Sequence, residues 1–159
     1  MKNRKFWQIF TLSLAAIAVF AGSIIFVGAT AGWFDQPTKI TLDAEYTNVE
    51  PVMTSVTTAE FDELIKAQKS FLAITYLPGC SADILSFTKR YTEEHRISYY
   101  YYIWSELRDT PLHDQVKYTP SVMLFSNGRL VTHLRADSND DIEKYNNYDA
   151  FAAWLDSYL

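Results

Sequence analysis

The strongest constraint on this chain is a run of 29 residues, Phe6 to Phe34, without a formal charge. About 20 consecutive apolar residues cross a bilayer as a helix. Phe6 to Val27 supplies 22 mostly apolar positions, with Ala15, Ala16, Ala18, Ala21 and Gly22 in the middle. Trp7 at one end and Trp33 with Phe34 beyond the other suit the two membrane interfaces. Lys2, Arg4 and Lys5 precede the run, and all 19 acidic residues follow it. A basic start stays cytoplasmic, so the body faces outward.

The reading is therefore a basic cytoplasmic end (1–5), a transmembrane signal-anchor (6–28), a linker (29–50) and a folded domain (51–159). The expected location is the cell membrane, single-pass, with the domain extracytoplasmic. The competing reading is a cleaved signal peptide. Ala29-Thr30-Ala31 is an A-x-A-like site, and cleavage after Ala31 would leave a secreted protein. Either way the body is exported.

Downstream of the run stand 11 basic and 19 acidic residues, a net charge of −8. Nucleic-acid binding relies on Lys and Arg at the phosphates, so this balance argues against it. A single cysteine, Cys80, excludes an internal disulfide framework and an all-Cys zinc site. His95, His113 and His133 lie on separate elements with no i, i+4 pair, so neither a metal nor another cofactor is expected.

Val52 to Val56 reads as a short strand. Thr57-Thr58-Ala59-Glu60 fits a capping box, and Phe61, Leu64 and Ile65 continue it as a helix to about Lys69. Phe71 to Tyr76 is an almost continuous apolar run, as expected of a strand covered on both faces. After Leu77-Pro78-Gly79-Cys80 a helix runs from Ser81 to about Arg96, with Ile84, Leu85, Phe87 and Tyr91 as buried positions. Ile97 to Trp104 is a further strand. Its four tyrosines, Tyr99 to Tyr102, read as alternating strand residues rather than a binding surface. Thr110-Pro111 opens a short helix to about Val116.

Ser121 to Phe125 and Arg129 to Leu134 form a hairpin about Asn127-Gly128. Asp137 to Asn147 reads as an acidic, solvated loop. Asp137, Asn139 and Asp141 resemble the opening of a calcium loop, but Ile142 stands where that loop needs Gly and Tyr148 where it needs Glu. Asp149 to Tyr158 is a closing helix. The order β-α-β-α-β-α-β-β-α requires an α/β fold with a central mixed sheet and helices on both faces.

This order, with the residues at two of its turns, resembles the thioredoxin fold from about Val52 to Leu159. Cys80 falls on the first, nucleophilic cysteine of the C-x-x-C pair and Asp83 on the second, resolving one. Tyr118-Thr119-Pro120-Ser121 matches the cis-proline loop that faces the site, and Ser126-Asn127-Gly128 the hairpin that follows. The membrane-anchored architecture also resembles the bacteriocin transport accessory proteins. The sequence departs from the thioredoxin pattern in three places. Asp83 gives C-x-x-D in place of C-x-x-C, Ile74 stands where a buried acid assists proton transfer, and Gly79 replaces the usual tryptophan.

What the resemblance implies is a thiol-disulfide oxidoreductase-like protein without a resolving cysteine. Cys80 and Pro120 are the catalytic positions, Thr119, Ser121 and Gly79 touch a peptide, and Asp83 modulates. The N-terminus of a helix favours thiolate at Cys80, whereas the Asp83 charge opposes it. The expected partners are exported peptide or protein clients and an external thiol or redox partner. A non-redox peptide-binding module or chaperone using the cis-proline groove, a covalent dimer through Cys80 and a structural, unreactive Cys80 are the alternatives.

Overall fold

A computed structural model describes residues 37–159 apart from Pro78, Cys80, Ser81 and Asp109. The expected membrane segment at 6–28 lies outside the described residues. Among those described, no helix is long and apolar enough to cross a membrane. The chain divides into Met1–Thr38 and Lys39–Leu159, and the second unit is the folded domain.

Five strands form one sheet in the order β1-β3-β2-β4-β5. They are β1 (Met53–Val56), β2 (Phe71–Tyr76), β3 (Tyr99–Ile103), β4 (Ser121–Ser126) and β5 (Arg129–His133). β3 runs parallel to both β1 and β2, while β4 is antiparallel to β2 and to β5. The helices are α1 (Thr58–Lys66), α2 (Ala82–His95), α3 (Trp104–Leu107), α4 (Ile142–Asn146) and α5 (Tyr148–Tyr158), with short 3-10 turns at Ala44–Tyr46 and Pro111–Asp114. This is the thioredoxin-like mixed sheet with helices on both faces.

Side-chain alternation divides the core in two. Leu72 and Ile74 of β2 and Val122 and Leu124 of β4 meet Ile84 and Tyr91 of α2 and Phe151 and Leu155 of α5. Phe71, Ala73, Met123 and Phe125 point the other way, onto Phe61 of α1, Leu107 and Val116. The tyrosines of β3 follow the same period: Tyr99 and Tyr101 pack with the first cluster, Tyr100 and Tyr102 with the second. Each fully buried Leu or Phe removes enough apolar surface to contribute about 1.5–3 kcal/mol, which fixes the strand registers.

The capping box forms as read from sequence. Thr57 Oγ1 accepts from the Glu60 amide at 3.3 Å, and Glu60 Oε2 accepts from the Thr57 amide at 2.8 Å. Asn127 and Gly128 both have positive φ, 50° and 72°, as a two-residue hairpin turn needs. The turn docks on the end of α1, where the Gly128 amide donates to the Lys69 carbonyl at 2.9 Å. A Cβ on Gly128 would lie 2.3 Å from the Ile65 carbonyl oxygen.

Two expectations change. The linker, read as extending to residue 50, joins the domain from Ile40 onward: Ile40, Leu42 and Tyr46 are buried. The Ile40 amide donates to the Tyr158 carbonyl at 2.6 Å, Lys39 Nζ to the Asp156 carbonyl at 2.5 Å, and Thr47 bridges Ile97. The Asp137 to Asn147 segment is not all loop, because it contains α4. Asp141, the last carboxylate of the calcium-like pattern, is engaged by Lys144 Nζ at 2.6 Å and by the Arg135 amide at 3.0 Å. Those two bonds hold the segment folded.

Candidate functional site

The site is built where β2 and β4 end together. Their register pairs Thr75 with Ser121. One step further sets Pro120 opposite Tyr76, the last residue of β2. The Thr119–Pro120 bond is cis, as expected from the sequence.

Three bonds pin the inner side of this loop. The Ser121 amide donates to Thr75 Oγ1 at 3.0 Å. Ser121 Oγ donates to the Leu134 carbonyl at 2.6 Å. Tyr145 of α4 donates through its hydroxyl to the Pro120 carbonyl at 2.7 Å. Burial, with smaller contributions from Asp141 and Asp137, pushes the Tyr145 hydroxyl well above the ordinary tyrosine range, so it stays a donor.

Thr119 has the opposite character. Among the described residues its amide and carbonyl take no hydrogen bond. Its Oγ1 is buried and has no partner. A backbone anchored on its C-terminal side by Pro120 and Ser121, with its own donor and acceptor free, is a ready edge for one more extended strand.

The residues expected at the site separate. Thr119 and Pro120 lead directly into β4, and Gly79, three residues after the end of β2, is exposed with φ +88°. Asp83 lies exposed in the first turn of α2. Cys80 lies outside the described residues. Ser121 was expected to touch a peptide, but it is wholly buried and both its amide and its hydroxyl are used by the fold. It supports the loop from beneath. Ile74, at the position of the thioredoxin acid, is fully buried among apolar side chains and offers no proton.

Sequence reasoning missed Thr75 and Tyr145. The hydroxyl of Thr75 breaks an otherwise apolar buried strand, a signal that a partner is waiting inside. Tyr145 stands three residues after Ile142 and six before Phe151, in a segment whose acidity concealed its helix.

No protein-family model and no curated protein matches the chain. Among solved structures it is similar to a provisionally assigned oxidoreductase with a thioredoxin fold, at 20% identity over 64% of this chain and 92% of that one, TM-score 0.48. It is similar to a point mutant of thioredoxin from Halobacterium salinarum NRC-1, at 19% identity over 69% and 90% of the two chains, TM-score 0.47. A chain from the complex of ferredoxin:thioredoxin reductase with thioredoxin f2 matches at 14% identity over 67% and 94%, TM-score 0.46. The thioredoxin-like assignment of this chain stands on its own strand order and register.

Proposed function

We propose that the domain binds extended peptides at Thr119 and presents Cys80 to them for thiol-disulfide exchange. The observation that carries this reading is the free backbone of Thr119, next to Pro120, which the sheet register sets opposite Tyr76, four residues before Cys80 in the chain. The Cys80 thiolate would attack a client disulfide. A Cys80–client S–S bond forms as the client's own S–S bond breaks, and the second client sulfur leaves as a thiolate that takes up a proton. With Asp83 where a resolving cysteine would stand, release requires an external thiol, which attacks the mixed disulfide and carries the new S–S bond away.

The setting we propose is extracytoplasmic, with residues 6–28 as the anchor and exported peptides of the bacteriocin kind as clients. The long uncharged run, the basic start and the acidic body support it. In a second reading the groove binds clients without redox chemistry, as a chaperone would. The free Thr119 backbone favours it equally, because strand addition needs no thiol.

One experiment separates them. Full-length protein and Cys80→Ala are compared for peptide binding by fluorescence anisotropy and for mixed disulfides on alkylated, non-reducing gels. Cys80-dependent adducts support exchange. Binding equal in both proteins, with no adduct, leaves the groove as a binding module. Absence of both removes the two readings together.

A further inference from the structure

Beside the Thr119 loop lies a second recess of about 190 Å3, lined by Lys117, Tyr118, His133, Arg135 and Asp137 among others. Its volume suits one side chain. Leu134, also in the lining, ties it to the peptide loop: its carbonyl accepts from Ser121 Oγ at 2.6 Å, and its amide donates to the Val122 carbonyl at 2.9 Å. Lys117 and Tyr118 immediately precede Thr119 in the chain. A strand paired at Thr119 alternates its side chains between faces every ~3.3 Å, so the recess is within reach of a neighbouring client residue.

Four of the domain's cations pair with carboxylates away from this recess: Lys66 with Glu63, Lys69 with Glu45, Lys89 with Glu93 and Arg90 with Glu94. Lys117 is exposed and has no carboxylate partner among the described residues. Arg135 is held in place, its Nη2 donating to Ser138 Oγ at 2.9 Å and its Nε lying 3.7 Å from Asp141 Oδ2. The Asp141 charge is itself shared with Lys144 Nζ at 2.6 Å. Asp137 is the single carboxylate in the lining, against Lys117 and Arg135. Burial first, and then Arg135, lower the pKa of His133.

We propose that this recess is a specificity subsite of the peptide groove, taking one client carboxylate, a Glu or Asp side chain, between Lys117 and Arg135. The proposal rests on the reading that extended peptides pair at Thr119. The acidic body repels a run of acids, so the subsite selects a single carboxylate rather than an acidic peptide. Lys117 supplies an unpaired charge, and Arg135 a preset guanidinium that needs no reordering.

The test uses the full chain in detergent and fluorescent peptides of one uncharged extended sequence, bearing a single Glu, Gln or Lys at successive positions. At one position Glu should bind about fivefold tighter than Gln, the size of a partly exposed ion pair. Lys117→Ala should erase that difference, and Lys117→Glu should shift preference to the Lys peptide. Added salt should narrow the gap. If all three peptides bind alike, or Lys binds best to the unaltered protein, the subsite is overturned and the groove stands. If none binds, the groove reading falls and the subsite with it.

Discussion

The Tyr145 hydroxyl reaches across 25 residues of sequence to the Pro120 carbonyl and joins α4 to the cis-proline loop at 2.7 Å. α4 is in turn held through Asp141, whose carboxylate is only 13% exposed and accepts from both Lys144 and the Arg135 amide. A five-residue helix is too short to persist on its own. Tertiary bonds at its two ends make it a strut behind the loop.

Tyr145→Phe removes that bond and nothing else of the side chain. The expected loss is ~1 kcal/mol of stability, read from the urea midpoint. Peptide affinity should fall too, because Thr119 loses a fixed neighbour. Cys80 alkylation in the free protein should be unchanged, which separates a positioning role from general loosening.

Thr75→Val should cost more. Thr75 is fully buried and its Oγ1 receives the Ser121 amide, so the isosteric change strands a buried donor. The penalty for an unmade buried bond is about 1–3 kcal/mol. Thr75→Ser keeps the hydroxyl and should recover the part due to the bond, again by urea denaturation.

Gly128→Ala tests the hairpin seat. The added Cβ meets a backbone carbonyl oxygen at 2.3 Å, and φ is +72°. Neither can relax by a side-chain turn. Stability should fall by well over ~1 kcal/mol, and the thermal midpoint should report it.

His133 predicts a pH dependence. Burial, followed by Arg135, lowers its pKa below 6.5, against weaker opposition from Asp141 and Asp137. The unfolded chain therefore binds a proton that the folded chain refuses. Stability from this group is full above pH 6.5 and falls as pH drops from 6.5 toward the folded value. His133→Gln should flatten the urea midpoint across that window. Asp141 acts lower down: burial raises its pKa, but the Lys144 and Arg135 bonds outweigh burial, so its contribution is present above 3.8 and lost as pH falls through the folded value.

Much of the architecture was legible because local signals and packing agree. Phe71 to Tyr76 is a strand with the expected bounds since both its faces are covered. Asn127-Gly128 fixes the hairpin, and Thr57 with Glu60 fixes the start of α1. The entry segment was not legible. Ile40, Leu42 and Tyr46 are spaced too unevenly to announce a period, and what buries them lies far along the chain: Ile40 and Leu42 join the cluster of α2 and α5, while Tyr46 packs on Phe71 and Tyr100. α4 was concealed for a related reason: Ile142 is 57% exposed, and the packing of Tyr145 on the core and its bond to Pro120 are set by distant parts of the fold. At the site, Thr119 and Pro120 could be read from a pattern of residues. The burial of Ser121 could not, because its partners Thr75 and Leu134 are joined to it only by the sheet.

The bond from Ile40 to Tyr158 has a mechanical consequence. Entrance and last turn of the domain are laced together, so its 120-odd residues form a closed circuit. Tension arriving through residue 39 is carried first into α5, through the Lys39–Asp156 and Ile40–Tyr158 bonds.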